Sequence, residues 1–405
     1  MLASQSDRDA QKLVTAGIVP TLIFLLKIRA AECTGLELVL ATLGLLAHDP
    51  LSANTMFRTN TTHTLLELFK ASISEEVSVL ALWCLNRMCR TAEVANGLIK
   101  QGLSRVLLEQ GFSPALSTPP IWRMAAYTLG VLIFNDGIAE MVAEQGAVVE
   151  IVDLLQRSSD RGGDPQDVCA ALYAAARMSR SIKLAKLLAK AGLVPLLAAS
   201  LATSTDPSVL LWSARAAGCL MRPNSGEMAK TLLDAGVAHG LARLPSVLSV
   251  SEVEPLGSFA FAIQRFSCAE WGSGTRKALV EAGVVDALLA GLRTVADEPY
   301  PAIHVEMALA VSFLGDVGGG AIRKEIISAG GITILKRVAA VASADVAKVC
   351  LMAVTSITGN IWTRNAASAK TAMSHNWNGG CPDWHAPCPV KLTVLRDGFD
   401  SVSTI

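Results

Sequence analysis

Two arginines, Arg87 and Arg90, close the apolar stretch "LWCLNRMCR", and 90 residues further on the pattern returns as "LYAAARMSR", with Arg177 and Arg180. A guanidinium is always charged, and its planar fork of donors matches a carboxylate or a phosphate. Arg265 continues the series, and each of Arg87, Arg177 and Arg265 follows an aromatic residue by four positions: Trp83, Tyr173 and Phe261. Residues four apart share a helix face. Such donor-plus-aromatic pairs could hold an acidic or phosphorylated extended segment of another protein, with Arg90, Arg180 and Arg215 thickening the same stripe. Two other uses compete. Arginines near helix ends lie over apolar neighbours and bond the last carbonyls, with the rings as simple core, and intramolecular ion pairs are the other outlet.

Catalytic chemistry has little to work with. The six histidines at 48, 63, 239, 304, 375 and 385 are scattered, and neither H-E-x-x-H nor G-x-S-x-G occurs. "GSGTRK" (272–277) and "GDVGGGAIRK" (315–324) put glycines before a helix, where phosphate can be cradled. Neither follows a strand or has P-loop spacing, so both read as flexible connections. His375, Cys381, His385 and Cys388 are four weak zinc candidates whose spacing fits no zinc module. They lie in a Gly/Pro/Trp-rich stretch that reads as an irregular, poorly ordered tail or a partner-binding segment. No enzyme activity, catalytic residue, metal or cofactor is expected.

Composition narrows the architecture that must position the arginines. The 405 residues carry 35 Lys+Arg against 35 Asp+Glu, so no net charge points to nucleic acid or an anionic membrane. The chain is 51% hydrophobic but 5% aromatic, which suits helix-on-helix packing better than sheets. "LELVLATLGLLA" (36–47) and "LAKLLAKAGLVPLLAASLA" (184–202) are too short or too interrupted to span a bilayer. "MLASQSDRDAQK" has no signal-peptide form, Leu2 stands where myristoylation needs glycine, and "VSTI" has no prenylatable cysteine. Cys33, Cys84, Cys169, Cys219 and Cys350 fall among apolar helical residues, as reduced buried thiols of an intracellular, cytoplasmic protein do.

An internal repeat supplies the scaffold. "TAGIVPTL", "KQGLSRVL", "EQGAVVEI", "KAGLVPLL", "DAGVAHGL", "EAGVVDAL" and "SAGGITIL" place Gly17, Gly102, Gly146, Gly192, Gly236, Gly283 and Gly330 at one joint, and "RTNTTHTL" places Asn60 there. Successive joints are 42 to 47 residues apart. Glycine, and next to it asparagine, suits a left-handed turn between helices. A short helix precedes each joint, as in 7–16 or 276–282, and a second follows, as in 18–27. After a polar break a longer third helix begins, with caps expected at Asp164 before Pro165, at Asp206 before Pro207, and at Ser72 with Glu75 as a capping box.

Three helices at this period, with Ala81, Trp83, Cys84, Leu85, Arg87 and Met88 in the third helix of repeat two, resemble the armadillo repeat, whose third helix reads A-x-W-A-L-x-N-L. The resemblance implies an all-α, right-handed α-solenoid of about eight three-helix repeats over residues 1–360, followed by the tail 361–405. It also implies a non-enzymatic scaffold or adaptor whose third helices line a groove for another protein, the Trp and Asn positions meeting a bound segment. The Trp positions here are Ala41, Trp83, Tyr127, Tyr173, Arg215, Phe261, Leu309 and Met352. The Asn positions are Leu45, Arg87, Val131, Arg177, Cys219, Arg265, Phe313 and Ser356, none of them Asn. An amide both donates and accepts, whereas a guanidinium only donates. A nuclear-import adaptor, which clamps basic cargo with an Asn ladder, is therefore disfavoured, and a regulatory domain of a larger enzyme is the other alternative. Charge reversal of Arg87, Arg177 and Arg265 together is expected to abolish partner capture without unfolding the protein.

Overall fold

The computed structural model describes residues 7–32, 35–47, 50–160, 163–221, 225–249, 251–268, 274–317 and 319–359. All regular secondary structure among them is helical, in eight successive triplets. The first three are α1 (Asp7–Thr15), α2 (Ile18–Glu32) and α3 (Leu36–Leu46); α4 (Pro50–Arg58), α5 (Thr61–Ala71) and α6 (Glu75–Met88); and α7 (Ala92–Lys100), α8 (Leu103–Val106, prolonged by a π-turn over Leu107–Gly111) and α9 (Pro119–Leu132). Next come α10 (Asp136–Glu144), α11 (Ala147–Asp160) and α12 (Pro165–Met178), then α13 (Ile182–Lys190), α14 (Leu193–Thr203) and α15 (Pro207–Leu220). The last nine are α16 (Gly226–Asp234), α17 (Val237–Val247) and α18 (Glu254–Cys268); α19 (Gly274–Glu281), α20 (Val284–Val295) and α21 (Pro301–Val317); and α22 (Gly319–Ser328), α23 (Gly331–Val341) and α24 (Ala344–Thr358).

The eight joints form as the sequence requires. Gly17, Asn60, Gly102, Gly146, Gly192, Gly236, Gly283 and Gly330 all have φ between 61° and 103°. In that left-handed region the joint amide bonds back three residues, as Gly192 N–H does to Ala189 O (3.1 Å), and the chain leaves in a new direction. Local caps start the next helices. Asp164 and Asp206 accept from the N–H groups of Gln166 and Val209, with Pro165 and Pro207 opening α12 and α15. The cap of α6 corrects the expected one. Ser74 accepts from Val77 N–H, while Ser72 caps the C-terminus of α5 with φ 47°. The expected helix at 18–27 runs on to Glu32, and "GDVGGGAIRK" spans the end of α21 and the start of α22.

The described residues divide at Ile151 into two compact units, each an all-α solenoid. In the first, α3, α6 and α9 pack in series; in the second, α12, α15, α18, α21 and α24 do. No repeat covers its own apolar face, so adjacent repeats share the core. In α15 every residue from Val209 to Leu220 is buried, and in α18 every residue from Pro255 to Ser267. Each leucine buried in this way contributes roughly 1.5–3 kcal/mol. No single helix among the described residues is long and apolar enough to cross a membrane; α13 and α14 together are long enough but bend by 77°.

Candidate functional site

The side chains singled out by spacing sit on the third helices, and their neighbours decide what they do. In the first unit Trp83 on α6 is 3% exposed and lies against Gly44 of α3, where an added Cβ would come within 2.1 Å of the ring. The ring is a wedge between two third helices. Arg87, one turn on, is half-buried; its guanidinium lies 5.6 Å from the Trp83 ring and its Nε donates to Gly44 O (3.4 Å). Arg90 donates from Nε to Arg87 O (2.9 Å), so it satisfies a carbonyl at the end of its helix. Tyr127 on α9 is buried.

In the second unit the aromatic positions are again interface. Tyr173 of α12 meets Trp212 of α15 edge to face, with centroids 4.8 Å apart. Phe261 of α18 is seated on Gly218 of α15, where a Cβ would approach two ring atoms to 2.6 Å. Arg177, Arg215 and Arg265 lie on three successive third helices and are all buried. The Arg215 and Arg265 guanidiniums lie 4.4 and 5.1 Å from the Phe261 ring. Arg215 Nε donates to Ser258 Oγ of α18 (3.2 Å). The burial of Arg177 and Arg265 corrects one expectation. Replacing them by carboxylates would place unpaired negative charge in the helix interface, so charge reversal would unfold the protein as well as remove the donors.

Sequence spacing missed a second class of residue, those tying one repeat to the next. Cys84 Sγ donates to Leu40 O, Gln264 Nε2 to Glu306 O, and Ser312 Oγ lies 2.7 Å from Ser356 Oγ, at separations of 44, 42 and 44 residues. Arg243 of α17 donates to Leu201 O and Ser204 O of the preceding repeat, both at 2.7 Å. The signal was present as polar or small residues recurring at the repeat period inside apolar helices.

Other candidates are placed as follows. His63 and His239 are exposed, and His304 is buried with Nε2 2.6 Å from Val295 O. Among the described residues no three His, Cys, Asp or Glu side chains are arranged to hold a metal. His48, Cys33, His375, Cys381, His385, Cys388 and the tail 361–405 lie outside them. Cys84, Cys89, Cys169, Cys219 and Cys350 are buried thiols, and burial pushes the Cys350 thiol up to about 11.

No protein-family model matches the sequence, and no curated protein matches it. Among solved structures the chain is similar to an engineered protein from a structural genomics consortium, at TM-score 0.65 and 24% identity over 89% of this chain and 83% of that one. It is also similar to a designed armadillo repeat protein (TM-score 0.52, 18% identity, 63% of this chain and 100% of that one). A third is a designed armadillo repeat protein in complex with the peptide (KR)4 (TM-score 0.52, 19% identity, 63% and 99%). The chain has an armadillo-like repeat fold.

Proposed function

We propose that this armadillo-like chain is a non-enzymatic protein-binding scaffold that holds an extended or helical segment of another protein along its third helices. One observation carries the reading: third helices stack in series within each unit, and three in succession, α12, α15 and α18, bring Arg177, Arg215 and Arg265 to their shared interfaces. The designed relative that holds (KR)4 supports a peptide as the guest of such a fold. Arginines here favour a segment of opposite sign to that peptide, acidic or phosphorylated, and disfavour basic import cargo. Buried thiols support a reducing, cytoplasmic setting.

Affinity capture from a cytosolic extract, followed by hydrogen exchange on the purified pair, tests the reading. Slowed exchange in α12, α15 and α18 is expected. Protection confined to first and second helices would overturn it.

A further inference from the structure

We propose that the outer face of the first repeat docks on the outer face of the eighth repeat of a second copy of this chain, head to tail, by the packing that joins neighbouring repeats within it. The contact is independent of any guest along the third helices.

The first repeat presents apolar side chains where a preceding repeat would lie. Counted from the joints at Gly17, Gly236 and Gly330, Phe24 corresponds to Arg243 and Arg337. Both of those reach the preceding repeat, Arg243 at Leu201 O and Ser204 O and Arg337 at Asp297. One position on, Leu25 corresponds to Leu68, Leu154, Leu244 and Val338, all buried, yet is itself 37% exposed. Thr21, Phe24, Leu25 and Ile28 share one side of α2, and all four are exposed, Phe24 by 63%.

The third helix carries the same sign. Leu38, three residues before the Trp position of α3, is 52% exposed. Its counterparts meet the preceding third helix: Trp212 meets Tyr173 edge to face, Ser258 accepts from Arg215, and Glu306 accepts from Gln264. A terminal repeat of a soluble solenoid ordinarily turns a polar face outward. A stripe of Phe, Leu and Ile in that place marks an interaction surface.

The matching surface is on α24. Leu351 stands one residue before the Trp position Met352, and its counterparts Leu40, Leu82, Leu172 and Ala260 are fully buried, whereas Leu351 is 51% exposed. Thr355, one turn on, holds the place where Gly44 and Gly218 receive the rings of the following repeats. The first repeat thus shows the face that later repeats turn to their predecessors, and the eighth shows the face that earlier repeats turn to their successors. Two copies complete between them an interface that neither completes alone. Two first repeats set face to face would not, since Leu38 needs the Trp position of a preceding third helix opposite it. Such a contact is heterologous, so it recurs from copy to copy.

Sedimentation velocity of the full chain across a concentration series tests the contact. The average mass should rise with concentration past that of a dimer. L38E blocks one face and L351E the other; more than half of each side chain is exposed, so both variants should keep the native far-UV spectrum and thermal midpoint. F24S and L351S serve in their place if a glutamate unfolds its chain. Each variant alone should remain monomeric, and an equimolar mixture should form a one-to-one dimer and nothing larger, because it holds one intact face of each kind. A native chain that stays monomeric at every concentration overturns the contact, as does a mixture that stays monomeric. Self-association of L351E alone overturns it too, since it would pair two first repeats.

Discussion

At the scale of single residues, small side chains matter here because large ones are seated on them. Gly218→Ala pushes a methyl group into Phe261, and Gly44→Ala pushes one into Trp83. Each is expected to lower stability by about 1–3 kcal/mol in denaturant melts, the usual cost of overpacking. Gly192→Ala acts differently, since its Cβ meets open packing but a φ of +103°. About 1–2 kcal/mol is expected there from backbone strain alone. Cys350 offers a chemical check. Its folded-state pKa is raised by burial from 9.0 to about 11, so the folded form favours the protonated thiol. That contribution to stability is fully present below pH 9.0 and is lost as pH rises through about 11. Site-resolved alkylation at pH 8 should find Cys350 protected until the protein unfolds. The arginines show where spacing reached its limit: Arg87, Arg177 and Arg265 were legible as a series, but the ring shared by Arg215 and Arg265 joins two helices. No single-helix pattern reports it.

At the scale of elements, what is local was legible. The left-handed joints and the Asp-Pro caps depend on side chains within three or four residues of the backbone they serve, so the sequence displays both partners together. The cap of α6 shows the margin of error. Ser72 and Ser74 are two residues apart, and either could begin a helix; Ser72 instead closes α5 in a left-handed turn, leaving Ser74 to cap α6. Ser74→Ala and Asp206→Ala should each cost about 1 kcal/mol by thermal or denaturant melts, with Ser72→Ala costing less. The π-turn after α8 gave no sign in the sequence. Gly111 at its end approaches Ala125 of α9, where a Cβ would lie 2.7 Å from that methyl, so the neighbouring helix shapes the turn.

At the scale of the whole molecule, stability resides in interfaces between repeats, and its distribution follows from that. Excising α13–α15 breaks the series within the second unit and leaves repeats never shaped for each other, whereas removing α22–α24 only trims its end. A larger fall in thermal midpoint is expected for the internal excision, and equal falls would contradict shared-core stability. The sequence by itself determined the repeat, its phase and the three-helix plan, because a period of 42 to 47 residues marked by left-handed joints is written residue by residue. Only the tertiary structure decided which third-helix positions are buried between neighbouring helices. Exposure at Arg87, Arg215 or Phe261 depends on a neighbour one full repeat away, on Gly44 beneath Trp83 and on Gly218 beneath Phe261, and burial is a property of the pair.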